Sequence, residues 1–265
     1  MKRTIAFGVA FGFALFTAFA QPPPTPIAPP PPIAPPPPLD SSSGIVTPPG
    51  SPSATVPSGS DSLTETNKPD IKTLMEGPEF TNSVGMVMIK LSPTFWAGKY
   101  EVTQEAYRKI TGGNPSQFPG DRNPVDSVSW NDAIGFCRGL TENERNEEML
   151  AEGFTYTLPT QSQWESWAAS ATLENAVTSQ NSKRSSTAPV GSLGPNAQGL
   201  YDIRGNVWDF CLDPQDQAYR VLRGAAWDSW IEINLRVEFR WYSDGPDDKK
   251  NTYGFRCVMT SAAGP

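Results

Sequence analysis

Histidine is absent from the 265 residues, and that absence excludes much chemistry. No Ser-His-Asp or Cys-His nucleophile can be assembled, nor a His-ligated zinc or iron site. A facial triad of two histidines and one carboxylate is excluded as well. Cysteine is scarce. Cys137, Cys211 and Cys257 are spaced far too widely for a Cys-x-x-Cys metal site. In an oxidising compartment they read as one disulfide and one spare thiol. Lys/Arg runs are missing too. Net charge is −7 and the pI is about 4.8, so neither nucleic acid nor an anionic membrane surface is an expected partner.

What is present falls into unlike parts. Twelve of the 28 prolines lie between Pro22 and Pro38, whereas all eight tryptophans lie at or after Trp96. Residues 1–20 read as a secretory signal: Lys2 and Arg3, an apolar run from Ile5 to Phe19, and the small-x-small end Ala18-Phe19-Ala20. A retained anchor is the other reading, but the apolar run is shorter than the roughly 20 residues that span a bilayer. No cysteine follows the cut, which argues against a bacterial lipoprotein. The expected location is secreted, or periplasmic or cell-surface, with no membrane attachment after cleavage. Residues 21–70 are rich in Pro and Ser and hold few large apolar groups. Burial there cannot offset ordering entropy, so the segment reads as a disordered linker. Its polyproline stretch would reach roughly 50 Å as a stiff spacer. Residues 71–265 remain, enough for one domain with a real core.

Within that domain the patterns are short. Met86–Leu91 and Phe95–Glu101 read as strands broken by Ser92-Pro93. Thr103 caps an expected helix over Gln104–Ile110, ended by Gly112-Gly113. Ser129 with Asp132 resembles a capping box. After it Trp130, Ala133, Ile134, Cys137 and Leu140 mark one helical face. Residues 142–152 read as an acidic, solvated extension or loop. Phe154–Leu158 reads as a strand. Thr160 with Gln163 forms a second box, opening a helix that carries Trp164, Trp167 and Ala168. Residues 172–196 are polar, lack periodicity and read as a long surface loop.

Six collinear segments then carry a resemblance: GKYEVTQEAY (98–107), NPVDSVSWNDAIGFC (123–137), YTLPTQSQWE (156–165), GLYDIRGNVWDF (199–210), RVLRGAAW (220–227) and YGFRC (253–257). The chain resembles the formylglycine-generating-enzyme, or sulfatase-modifying factor, family. The resemblance implies an α+β, C-type-lectin-like fold with short strands, two to three helices and long loops. The family's oxidase branch uses a copper(I)-binding cysteine pair, and soft thiolates suit that ion. The corresponding positions here are Ser229 and Asn234, so copper is not expected. The sulfoxide-synthase branch uses iron held by histidines, which this chain lacks. A third branch keeps the fold and binds partners through the window before the GFR motif. Here that window offers Trp227, Asp228, Ser229, Trp230, Asn234, Trp241 and Tyr242 as a candidate surface for a protein or glycan, although Trp227 and Trp241 also suit a core.

The resemblance implies more. The segment from Asp202 to Asp209 corresponds to a structural calcium site, with ligands from the Asp202 side chain, the Gly205 and Val207 carbonyls and the Asp209 carboxylate. Hard oxygen donors suit calcium, and a polar turn in which Asn206 and Asp209 cap backbone groups is the alternative. The resemblance also pairs Cys137 with Cys257 in a disulfide, leaving Cys211 over. The expected role is a binding or structural module without catalytic residues. A cysteine oxidase working through another site, with Cys211 as its candidate thiol, is the first alternative, and an accessory subunit of a surface complex is the second.

Overall fold

The computed structural model describes residues 75–214 and 219–261. The expected signal (1–20) and linker (21–70) lie outside the described residues. Three antiparallel strands open the domain: β1 (Glu79–Thr81), β2 (Val87–Ser92) and β3 (Phe95–Gly98), with Met88 opposite Gly98 and a bulge between Lys90 and Ser92. Beside β3 lies not the next strand in sequence but the last, β9 (Val258–Ser261), followed by β4 (Phe154–Thr157). The two ends of the domain therefore meet in one sheet. A second sheet runs β7 (Trp241–Ser243), β6 (Arg220–Arg223), β5 (Trp208–Pro214), β8 (Tyr253–Gly254), with β5 and β8 parallel.

Alternation along β3 divides the core. Trp96 joins Phe80, Met88, Phe136, Leu140, Phe255 and Met259 on one face of the first sheet. Phe95 and Ala97 join Trp164, Trp167, Leu200, Val221 and Val258 on the other. Each wholly buried tryptophan removes about 150–250 Å² from water, so Trp96, Trp164 and Trp167 anchor both halves.

Local signals set the helices. α1 (Gln104–Thr111) begins at Thr103, whose side chain accepts the Ala106 N–H, and ends at Gly112 with φ 77°. α2 (Trp130–Asn146) and α3 (Gln161–Ala168) both start with complete capping boxes, Ser129/Asp132 and Thr160/Gln163. Each such cap is worth about 1 kcal/mol. The buried face of α2 is Ala133, Phe136, Cys137, Leu140, Thr141 and Glu144, whereas Trp130 and Ile134 sit partly exposed at its edge.

Three sequence expectations change. The strand expected to reach Glu101 stops at Gly98, and Glu101 turns inward and is buried. The acidic stretch 142–152 is not wholly solvated. Glu144 is buried, accepting hydrogen bonds from the Ser83 N–H and hydroxyl at 2.9 Å and from the Tyr156 hydroxyl at 2.7 Å. The loop 172–196 is not confined to the surface, since Ala176, Val177, Thr178, Thr187, Ala188 and Val190 are all buried. Among the described residues no helix is long and apolar enough to cross a membrane.

Candidate functional site

Two constellations converge on the second sheet. The first is the turn before β5. Asp202, Gly205 and Asn206 all have positive φ, at 54°, 90° and 63°, which folds the chain sharply back on itself. Gly205 is required there, because a Cβ would stand 2.3 Å from the Val177 carbonyl oxygen. The Gly205 N–H donates to the Gly224 carbonyl at 2.8 Å. Asn206 Nδ2 donates to Glu101 Oε2 at 2.7 Å, and the Val207 N–H to Glu101 Oε1 at 3.1 Å. Asn206 Oδ1 accepts the Ala188 N–H at 2.9 Å. Sequence reasoning gave Glu101 no role, because its partners lie more than a hundred residues away.

Three buried carboxylates therefore gather: Glu101, Asp202 and Asp209. Arg256, also buried, approaches Asp209 Oδ2 at 3.6 Å, too far for a hydrogen bond, and spends two guanidinium nitrogens on the carbonyls of Gly98 (2.9 Å) and Tyr201 (2.6 Å). One cation faces three acids. Burial, with the charges of Asp202 and Asp209 adding to it, pushes Glu101 well above the usual carboxylate range. Burial likewise raises Asp202, to about 6, and Asp209. Asp202 Oδ2 accepts the Gly191 N–H at 2.7 Å, and Asp209 Oδ2 accepts from Trp164 Nε1 at 3.2 Å. The second oxygens, Asp202 Oδ1 and Asp209 Oδ1, are buried with no hydrogen-bond partner. Two orphaned carboxylate oxygens, one on the turn and one at the start of β5, with excess negative charge, fit a hard cation. No three His, Cys, Asp or Glu side chains converge on a metal position among the described residues. A cation held by Asp202 and Asp209 would therefore draw its other oxygens from backbone carbonyls, Gly205 and Val207 being those expected, and from water.

The second constellation is a pocket of about 220 Å³ lined by Trp208, Asp228, Ser229, Trp230, Asn234, Trp241, Lys250, Thr252 and Tyr253. Trp208, nearly buried, stacks against Trp241 at 6.1 Å between ring centroids. Trp241 Nε1 donates to the Tyr253 hydroxyl at 3.1 Å, which holds the indole plane. The Lys250 ammonium lies 5.2 Å from the Tyr253 ring centroid and 3.5 Å from Asp248. Asn234 comes from a 3-10 turn (Glu232–Leu235) and Ser229 from the tight turn after β6. The Ser229 hydroxyl accepts the Ala226 N–H at 3.0 Å. Trp230 is 70% exposed.

The structure thus brings together Asp228, Ser229, Trp230, Asn234 and Trp241, and adds Trp208, Lys250, Thr252 and Tyr253. It leaves out two expected surface residues. Trp227 packs edge-on against Phe118 at 5.2 Å and donates through Nε1 to the Asn251 carbonyl. Tyr242 neighbours Trp241 on β7, so the pleat sends it to the other face.

No cysteine lines the pocket. Cys137 Sγ on α2 and Cys257 Sγ before β9 are 3.2 Å apart, buried, and present as thiols rather than a bonded pair. Cys211 is buried in β5, and burial pushes its thiol well above the ordinary value.

The profile of the sulfatase-modifying factor enzyme 1-like domain matches residues 46–261. The chain belongs to this family. Curated relatives include the chaperone protein LppX of Paenibacillus barcinonensis, 28% identical over 239 residues covering 66% of this chain and 85% of that protein. The formylglycine-generating enzyme of Streptomyces coelicolor is 30% identical over 57% of each chain. The inactive C-alpha-formylglycine-generating enzyme 2 of Bos taurus is 30% identical over 54% of this chain and 52% of its own. The chain spans 24% of the serine/threonine-protein kinase pkn1 of Chlamydia pneumoniae, so that protein's overall activity does not carry across. Among solved structures, Treponema denticola variable protein 1 covers 69% of this chain and 94% of its own with a TM-score of 0.57 at 23% identity. PvdO from Pseudomonas aeruginosa gives 0.53 at 22%, over 63% of this chain and 80% of its own. At those identities the likeness establishes the C-type-lectin-like α+β fold and nothing finer. Ser229 and Asn234, the two positions that the resemblance sets against the family's copper-binding cysteine pair, line one pocket together, and no cysteine lines it.

Proposed function

We propose that the domain is an exported binding module rather than a cysteine oxidase, and that its pocket receives a partner protein or glycan. The observation that carries this reading is the pocket lining. Where the family's oxidases need two thiolates, this pocket offers a hydroxyl and an amide between indole rings. Neither group binds copper(I) or cycles between redox states. The alternative oxidase, working through Cys211, has no support in the geometry. That thiol is buried and driven toward its protonated form, the opposite of a reactive cysteine. The likeness to a chaperone across 85% of that protein supports a role exercised on another protein, and it keeps an accessory subunit of a surface complex as a form of the same reading.

Two structural supports belong to the proposal. Calcium binds at Asp202 and Asp209 and neutralises the buried acids. In an oxidising compartment Cys137 and Cys257 join, a short movement from 3.2 Å to the roughly 2.05 Å of a disulfide. The direct test is a copper(I) titration of the purified protein against a strong competing chelator. The proposal expects no stoichiometric copper. One tightly held equivalent, lost in Cys211→Ser, would overturn it.

A further inference from the structure

Resting on the reading of the pocket as a binding site, we propose that its ligand is a single electrically neutral sugar ring, the exposed end of a glycan. Size is the first constraint. At about 220 Å³ the pocket is smaller than the roughly 300–1,000 Å³ that encloses drug-sized ligands, so it admits one ring or one side chain.

Charge is the second constraint. Asp228 and Lys250 line the same pocket. Asp228 joins none of the ion pairs among the described residues, whereas Lys250 is partnered by Asp248 and Asp244. A cationic ligand would take the aromatic walls for a cation–π contact, but the Lys250 ammonium already lies over Tyr253 and would repel it. An anion would meet the Asp228 carboxylate. A neutral ligand meets neither penalty.

Polarity is the third. An apolar side chain would stack on Trp208, Trp230 and Trp241 but would strip water from Asp228, Asn234 and Thr252 without replacing the hydrogen bonds, at about 1–3 kcal/mol for each stranded group. A pyranose ring satisfies both demands. Its C–H face lies on an indole. Its hydroxyls donate to Asp228, accept from Lys250, and do both with Asn234 and Thr252. Trp241, fixed by its bond to Tyr253, is the rigid platform. Trp230, in none of the ring contacts among the described residues and 70% exposed, is free to close over the opposite face.

The test has two arms on the full mature chain. Methyl glycosides of glucose, galactose, mannose and N-acetylglucosamine are titrated calorimetrically, with a glycan array alongside, and a phage-displayed peptide library is panned in parallel. At least one neutral glycoside is expected to bind saturably, and Trp230→Ala and Asp228→Asn should each weaken it by about tenfold or more. Trp230 is so exposed that its variant keeps its fold, which near-ultraviolet circular dichroism verifies. Peptides that bind and depend on Trp230, with no glycoside bound, would overturn the sugar assignment while the pocket reading stood. No Trp230-dependent ligand in either arm would overturn both.

Discussion

Gly205 shows how much one position can carry. It holds φ 90° with the Val177 backbone packed against its α-carbon. Any Cβ both strains the dihedral and collides with backbone, which cannot move aside as a flexible side chain does. Gly205→Ala is expected to destabilise by about 3 kcal/mol or more, read as a lower urea midpoint. Trp227 and Trp230 make a contrasting pair three residues apart. Trp227→Ala should cost about 3 kcal/mol through lost packing, whereas Trp230→Ala should stay within about 0.5 kcal/mol of the native protein. Equal losses would mean that the packed and displayed roles are misassigned. Glu144 supplies a pH signature. Burial raises its pKa despite the hydrogen bonds from Ser83 and Tyr156. A carboxyl whose folded pKa lies above its unfolded value contributes stability that is full below the unfolded pKa and is lost as pH rises through the folded one. Relative to Glu144→Gln, the native protein is therefore expected to be more favoured at about pH 4 than at about pH 7. Denaturation midpoints of the two proteins at both pH values check this, and subtracting one from the other removes the other buried acids, Asp126 included, from the comparison.

Elements were legible in the sequence where their signals are local. Both capping boxes are four-residue patterns, and both helices start where the boxes stand. The glycine stop after α1 reads just as directly. Long-range effects were hidden. Glu101 looks like the charged end of a strand, yet its partners, Asn206 and Val207, come from the far side of the domain. The 172–196 loop lacks periodicity because its buried residues serve irregular packing, with the Val177 carbonyl accepting the Asn206 N–H at 2.7 Å. The candidate site was read in part. The window of aromatic and acidic residues was visible in the chain, but which of them share a pocket depends on the pleat of β7, on Trp208 and Tyr253 from other strands, and on Thr252 from the turn before β8. The cysteine pair is an element-level question too. A bond between Cys137 and Cys257 would close a loop of 120 residues, for which chain entropy gives about 4–5 kcal/mol. Protein from an oxidising compartment is expected to show one protected thiol pair by non-reducing mass spectrometry and a clearly lower melting temperature after reduction. Three free thiols in the native exported protein would contradict that bond.

At the scale of the molecule, three buried acids against one arginine leave the domain short of positive charge where its turn meets the second sheet. The proposed calcium ion would supply it, so chelator should lower the melting temperature and calcium, but not magnesium, should restore it, since magnesium demands a stricter octahedron than a turn of carbonyls provides. No shift on chelation would remove calcium from the account. Export has its own check: the mature protein is expected to begin at Gln21 on N-terminal sequencing, and a retained Met1 would oppose it. The central claim is that this family member binds without oxidising. The most direct measurement incubates the copper-loaded protein in air with a sulfatase-type cysteine peptide and follows the peptide mass, an active formylglycine-generating enzyme running alongside. The account predicts an unchanged peptide in the first reaction and conversion in the second. Conversion to the aldehyde by this protein would contradict it, and would place redox chemistry in a pocket lined by Ser229 and Asn234 and by no cysteine.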